Sequence, residues 1–244
     1  MEESFARVET KYMLTLPQAE AIEAGLAQRG FQWMDFGCPT VQSLYFDTPD
    51  HLLIRQSLER PAYKEKLRLR AYGGPGALTQ SFVEVKKKFN GVVYKRRAAL
   101  PFREAYQGLL DGCLPDRSGQ VGREAVWMIR RWGLIPAAVI AYDRDAWMHP
   151  GNANVRITFD RNLSFRDWTP DLNAPARNLP LTDPAQRLME IKTDGTYPLW
   201  LARLLWETGA RRVHYSKYGL AYTRWILGNE RRNDPCSTAF SRGA

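Results

Sequence analysis

The sequence predicts an α+β protein: an antiparallel eight-stranded β-barrel with a polar interior and helices packed on the outside. Three observations predict this fold class. Eight segments alternate apolar and polar residues with a period of two, as strands with one buried face do. Turn sequences join several of these segments directly, so consecutive strands run antiparallel. The polar face of the strands is mostly cationic, and the same pattern recurs in strands that are distant in sequence.

The strands and the turns between them can be assigned in order. The predicted strands are residues 5–14, 41–47, 63–72, 81–88, 91–100, 138–147, 153–160 and 187–193. Residues 73–76 (Gly-Gly-Pro-Gly) form a hairpin loop, and Asn90 with Gly91 is a favoured pair for a tight two-residue turn. Eight strands are enough to close a barrel.

Helical patterns lie between and after the strands. The predicted helices are residues 16–30, 101–112, 120–132, 197–208 and 216–227. Pro17 and Gly30 mark the start and end of the first helix, and Ser216 is a good N-cap for the last. Residues 166–186 are rich in Pro, Asp and Asn, which predicts a long loop.

Composition bounds the size and location of the protein. The chain has 244 residues and a net charge of +9, which suits nucleic acid, an anionic membrane or an acidic ligand. We expect one domain over residues 1–228 and a polar, flexible tail over 229–244. Three cysteines without a C-x-x-C pair argue against disulfides and a zinc site. No signal or membrane-spanning sequence is visible, so we expect a cytoplasmic protein.

The third predicted strand separates its charges by face. One face carries Lys64, Lys66, Arg68 and Arg70. The other face carries Leu67 and Leu69, because successive side chains of a strand point to opposite sides. Like charges about 5 Å apart repel by roughly 3 kcal/mol at an effective dielectric constant near 20. A bound anion would offset that repulsion.

Other strands add to the same charged face. The residues there include Glu9, Lys11, Glu84, Lys86, Tyr142, Arg144, Arg156, Glu190 and Lys192. Scattered carboxylates among cations suit a divalent cation bound together with phosphate oxygens. An open basic sheet that binds nucleic acid is the alternative, but Tyr72 and Tyr142 are its only clear aromatic side chains for base stacking. We therefore favour a tunnel for a phosphate chain and expect no nucleic acid.

A series of motifs follows the strands in order. They are R-x-E-x-K-Y at 7–12, Y-F-D-T at 45–48, K-L-R-L-R at 66–70, E-V-K at 84–86, Y-K-R-R at 94–97, Y-x-R at 142–144, V-R-I-T-x-D at 155–160, E-I-K at 190–192 and Y-S-K-Y at 215–218. Together they resemble the triphosphate tunnel metalloenzymes, and within them the VTC domain of vacuolar transporter chaperone polyphosphate polymerases.

The resemblance implies an activity and a set of site residues. It implies transfer of the ATP γ-phosphate onto a growing polyphosphate chain with Mn²⁺ or Mg²⁺. Its catalytic residues would be Lys11, Arg68, Arg70, Lys86, Arg144 and Arg156. Its substrate-binding residues would be Lys66, Lys95, Tyr142, Lys192, Ser216 and Lys217. Glu190 and Glu9 would hold the metal. Periodicity alone does not decide whether Lys95 or its neighbours Tyr94 and Arg96 face the interior.

One departure from the superfamily pattern bears on the reaction. Many tunnel enzymes begin with Glu-x-Glu-x-Lys, whereas Arg7 stands here in place of the first acid. Fewer metal ligands favour a polymerase-like site over a triphosphatase. A triphosphatase and a non-catalytic binder of polyphosphate or nucleic acid remain the alternatives. The sequence does not indicate the oligomeric state or whether a membrane protein is a partner.

Overall fold

The computed structural model describes residues 7–34, 40–74, 76, 78–90, 92–169, 171–174 and 177–228 and has the predicted α+β architecture. The strands are β1 (Arg7–Thr15), β2 (Gln32–Met34), β3 (Thr40–Asp47), β4 (Tyr63–Tyr72), β5 (Gln80–Phe89), β6 (Val92–Pro101), β7 (Ile135–His149), β8 (Asn152–Arg166), β9 (Leu179–Pro180) and β10 (Gln186–Asp194). Each predicted strand is present. The short β2 and β9 are additional and pair with β7 and β8.

The helices also follow the prediction, with shifted ends. They are α1 (Leu16–Ala27), α2 (Leu52–Leu58), α3 (Phe102–Leu110), α4 (Gly119–Trp132), α5 (Leu199–Glu207) and α6 (Lys217–Ala221). Thr15 caps α1 in a capping box with Gln18. The predicted last helix changes to a π-helical turn at Tyr222–Ile226. The sequence did not predict α2, because its N-terminal amides are bound by Asp47, several residues upstream, instead of by an adjacent cap.

Eight strands form one antiparallel path in the order β1-β10-β8-β7-β3-β4-β5-β6. Within the described residues, β1 and β6 are the two edges and do not pair with each other. The sheet nevertheless curls strongly, since the start of α6 bridges its two halves. Lys66 on β4 donates to Ser216 Oγ, and Lys217 pairs with Glu190 on β10. The barrel is therefore a half-barrel, whose concave face is the interior.

Two apolar clusters cover the convex face. Leu67, Leu69 and Val85 pack with α3 and α4 at one end of the strand order. Ile157 and Ile191 pack with α1 and α5 at the other end. These are the alternate strand positions that the two-residue period assigns to the buried face. The charged positions therefore point to the concave side, as predicted.

The end of the described chain turns back onto the concave face. Tyr218 of α6 stacks on Tyr45 of β3, with ring centroids 4.8 Å apart. Ala221, Tyr222 and Ile226 continue this contact into a third apolar cluster. Unlike α1, α3, α4 and α5, this segment therefore lies inside the curl. It fills the apolar part of the concave face, and the residues at its start reach the charged part.

Some predictions fall partly or wholly outside the described residues. The tail at 229–244 does, as do Cys38, Cys236 and part of the loop at 73–76. The boundary of the domain at residue 228 stays a prediction. Cys113 is an exposed free thiol. No helix in the described part of the chain is both long and apolar enough to cross a bilayer.

Candidate functional site

The structure brings all the predicted site residues to the concave face or directly against it. The strands contribute Glu9, Lys11, Lys66, Arg68, Arg70, Lys86, Lys95, Tyr142, Arg144, Arg156, Glu190 and Lys192. Ser216 and Lys217 reach the same face from the start of α6. Residues that are far apart in sequence therefore form one basic cluster, because the strand order interleaves them.

One wall of the cluster, on β4, β5 and β6, is organised around Glu84. The Arg68 guanidinium donates to Glu84 Oε2 from Nε at 2.7 Å, and Lys95 Nζ lies 3.0 Å from Oε1. Arg70 Nε lies 3.8 Å from the same carboxylate. A single buried acid thus orients three cations. The charge that remains on this wall is strongly positive.

The pairing of β5 with β6 decides which face Lys95 occupies. Lys95 lies opposite Lys86, which in turn lies opposite Lys66 on β4. Directly opposed residues of antiparallel strands share a face, so all three lysines point to the interior. Arg96 points to the convex side, where it pairs with Glu124 of α4. Periodicity alone had left this choice open.

The opposite wall is organised around Glu190. Its Oε1 lies 3.1 Å from Lys217 Nζ and 3.6 Å from Lys11 Nζ, and its Oε2 lies 3.4 Å from Arg144. Lys11 also lies 3.4 Å from Glu9, so it stands between the two predicted metal ligands. Burial alone would raise the pKa of Glu190, but these three cations hold it well below its usual value.

Asp160 is a site residue that was not among the predicted ones. It is fully buried, binds Arg144 through two bonds of 2.6 and 2.7 Å, and lies 2.6 Å from Lys217 Nζ. The V-R-I-T-x-D motif ends at this residue, and the two-residue period places it on the charged face. Its carboxylate holds the side chains of Arg144 and Lys217 in place.

Tyr45 is a second residue that the sequence did not single out. Its hydroxyl accepts a hydrogen bond of 3.0 Å from Arg68. Burial would raise the pKa of this phenol, but Arg68 and Lys66 lower it to about 8. Tyr142 has a comparable place on the other wall, 3.5 Å from Arg70 and under the Lys217 ammonium. Each phenol thus stabilises neighbouring cations.

The ammonium groups of the two walls crowd one another. Burial, reinforced by Lys64, Lys86 and Lys11, lowers the pKa of Lys66 to about 8. Burial also lowers the pKa of Lys95 to about 8, against the opposing effect of Glu84. Lys66 nevertheless donates to Ser216 Oγ at 3.3 Å, and this contact joins β4 to α6. A polyanion between the walls would relieve the repulsion.

Several buried polar atoms of the concave face have no hydrogen-bond partner among the described residues. Ser43 Oγ, Arg70 Nε and Thr158 Oγ1 make no hydrogen bond within the described residues. Ser43 lies beside Arg70, and Thr158 lies beside Glu190. A buried polar atom without a hydrogen bond costs about 1–3 kcal/mol. An anionic ligand with many acceptor oxygens would accept hydrogen bonds from these donors and would neutralise the excess positive charge.

The carboxylates fit a metal that is bound together with phosphate. In the described part of the chain, no three His, Cys, Asp or Glu side chains form a metal-binding group. Glu190 and Glu9 share a face on adjacent strands. Magnesium in phosphate-transfer sites is usually held by one or two carboxylates, with substrate oxygens completing its shell. Two carboxylates on a face lined with cations suit that arrangement, and do not suit an all-protein metal cage.

Comparisons with known proteins agree with this geometry. A family model described as the VTC domain matches residues 6–226. No curated protein matches the chain. The solved structures include a candidate adenylate cyclase from Bacillus halodurans, which is 15% identical and has a TM-score of 0.51. The match covers 86% of this chain and 95% of that one, and at this identity it shows a shared fold.

Two further structures are more distant. A Pyrococcus horikoshii protein is 14% identical with a TM-score of 0.46, over 91% of this chain and 99% of that chain. The Mimivirus capping enzyme triphosphatase is 9% identical with a TM-score of 0.33, over 82% and 88% of the two chains.

Proposed function

This chain belongs to the VTC domain family, and on that premise we propose that it is a polyphosphate polymerase that transfers the ATP γ-phosphate onto a growing polyphosphate chain. The observation that carries the proposal is the pair of cationic walls facing each other across the concave face. ATP, triphosphate and polyphosphate are the ligands that this charge distribution suits. We place the reaction in the cytoplasm, where ATP is available.

The reaction needs no strong general base. The bond between the β,γ-bridging oxygen and the γ-phosphorus of ATP breaks, and a terminal oxygen of the polyphosphate chain forms a new bond to that phosphorus. ADP leaves with the bridging oxygen. The attacking phosphate is already ionised, so positioning and charge neutralisation supply most of the acceleration.

The two walls divide this work. Arg68 and Arg70 are held by Glu84 and offer planar donors to phosphate oxygens. Arg144 and Lys217 are held by Asp160 on the other side. Because these acids fix the cations before the substrate arrives, little reorganisation is needed during the transfer.

The lysines line the path of the phosphate chain between the walls. They are Lys11, Lys66, Lys86, Lys95 and Lys192, and Arg156 lies opposite Lys192. Glu190 and Glu9 would hold Mn²⁺ or Mg²⁺ together with phosphate oxygens, and the ion would neutralise charge on the transferred group. Ser216 lies where β4 meets α6 and would contact the chain there.

Polymerisation is favoured over hydrolysis by the small number of acids. Glu190 already has three cationic partners, and Arg7 stands where many tunnel enzymes have an acid.

The test is to incubate purified protein with ATP and Mn²⁺ and to separate the products on a gel. ADP with long polyphosphate supports the proposal. Free phosphate without polymer would indicate a triphosphatase, and no turnover would indicate a binding protein.

A further inference from the structure

A group of large apolar side chains lies exposed on the convex side of the sheet, away from the concave site. They are Tyr63, Phe89, Val92, Tyr94 and Trp127, here called the aromatic patch. Each is between 46% and 54% exposed. Isolated exposed apolar residues are ordinary, but a contiguous group marks an interaction surface.

The strand register makes the patch contiguous. Phe89 of β5 lies opposite Tyr63 of β4 and also opposite Val92 of β6. Tyr94 lies opposite Lys87, whose ammonium is 5.8 Å from the centre of the Trp127 ring on α4. The same face is buried at Val83 and Val85, farther along β5, under α3 and α4. The patch is therefore the uncovered end of an otherwise covered sheet face.

Cations border the patch. Arg131 lies over the rings of Trp127 and Trp132. A shallow cavity of about 460 Å³ lies at this border and is lined by Arg123, Val126, Trp127, Arg130 and Arg131. The acids nearby are already engaged, since Glu65 and Glu124 bind Lys87, and Glu124 also binds Arg96. The surface thus combines exposed apolar groups with a surplus of positive charge on α4.

We propose that the aromatic patch docks the protein on an anionic lipid bilayer. Exposed aromatic and aliphatic groups enter the headgroup region, while bordering Lys and Arg bind anionic lipids. Single-stranded nucleic acid fits less well, because Val92 has no ring to stack on a base and the Trp127 ring is already engaged by two cations. A second copy of the chain also fits less well. A symmetric interface would bring the Arg131 side chains of both copies together, where their like charges repel.

The proposal is tested with the full chain and vesicles. Co-sedimentation compares vesicles of phosphatidylcholine alone with vesicles that contain about 30% phosphatidylserine. We expect binding to the anionic vesicles. The triple variant Phe89→Ser, Val92→Ser, Tyr94→Ser should bind at least about tenfold more weakly, because it removes the apolar contribution to binding.

Two further variants separate the causes. Arg131→Gln should weaken binding to anionic vesicles and leave the melting temperature near that of the wild type. Trp206→Ser is the matched control, since Trp206 is 86% exposed on α5, which packs against the other half of the sheet. It should bind as the wild type does. Equal binding by wild type and triple variant would overturn the proposal.

Two other readings have their own outcomes. If the wild type ignores anionic vesicles but binds single-stranded RNA through the patch, the partner is nucleic acid and the proposal is wrong. If light scattering shows a dimer that the triple variant dissociates, the patch is an interface between copies and the proposal is equally wrong. None of these results depends on whether the concave site polymerises phosphate.

Discussion

Lys217 Nζ lies 2.6 Å from Oδ2 of Asp160, and the carboxylate of this pair is fully buried. The pair joins α6 to the middle of β8, so the last helix is tied to the sheet by charge as well as by the stacking of Tyr218 on Tyr45. Arg144 binds the same carboxylate. One acid thereby holds two of the cations assigned to phosphate.

Replacing this acid should destabilise the fold. Asp160→Asn leaves Arg144 and Lys217 with Glu190 as their shared acid, and we expect the free energy of unfolding to fall by about 3 kcal/mol, as for other broken buried ion pairs. Urea denaturation measures this change. The control Asp50→Asn removes an exposed partner of Arg55 and should change the free energy of unfolding far less. Equal effects of the two substitutions would contradict the role given to Asp160.

Glu190 should be needed for turnover more than for binding. In Glu190→Gln we expect metal-dependent turnover to fall by at least about 100-fold, since a predicted metal ligand is lost. Affinity for triphosphate should be unchanged or higher, because a negative charge leaves the site. ATP turnover and calorimetry measure the two effects. Glu104→Gln, which removes a surface partner of Arg117, is the control. A variant that turns over normally would remove Glu190 from the mechanism.

Triphosphate binding should weaken as pH rises past 8. Lys66 and Lys95 have pKa values of about 8, so their charges are lost between pH 7 and 9. Lys66→Arg retains the charge and should move the loss of affinity to higher pH. Calorimetry across this range tests it. Lys87→Arg on the convex side should leave the profile unchanged, and a wild-type affinity independent of pH would contradict the prediction.

The stability of the free protein should respond to pH in the opposite direction. The same lysines in the unfolded chain hold their protons up to their ordinary pKa of 10.5. From pH 8 upward the unfolded chain therefore binds more protons than the folded one, and these lysines make the free energy of unfolding rise with pH. Urea denaturation without ligand at pH 7.5 and 9 checks the sign, with pH values chosen to bracket the pKa of about 8. A decrease in the free energy of unfolding between these two pH values, of the same size in Lys66→Arg, would contradict the prediction.

Removing the Tyr45 hydroxyl should loosen Arg68. Tyr45→Phe keeps the ring on Tyr218 but loses the hydrogen bond from the Arg68 guanidinium. We expect triphosphate affinity to fall about threefold to tenfold, the usual contribution of one hydrogen bond. Calorimetry measures this, and thermal unfolding should change little. Tyr63→Phe on the convex side is the matched control, and equal affinities of the two variants would refute the prediction.

Much of the fold and the site could be predicted because charge in this chain follows the strand period. The alternation of Lys66, Arg68 and Arg70 with Leu67 and Leu69 separates the two faces of β4 without knowledge of its neighbours. A strand is local, so its faces can be read from a few residues.

What could not be predicted depends on pairing between distant segments. Only the register of β5 with β6 places Lys95 inside and Arg96 outside. Only the strand order brings Asp160 next to Lys217. The start of α2 depends on Asp47, whose carboxylate accepts from the amides of Leu53 and Ile54 after the chain has turned. No local pattern carries these relationships.

The pairing of β1 with β10 has a consequence for how the protein is made. The first strand finds its partner only after almost the whole domain has been synthesised, since Lys11 lies opposite Glu190 and donates to the carbonyl of Tyr215. Contacts of such long sequence separation form late and fold slowly. On the ribosome, the wall of β4, β5 and β6 can therefore form before the wall of β1 and β10 is complete, because its strands pair with their neighbours in sequence. The complete site can appear only as a last step, when the final helix reaches it.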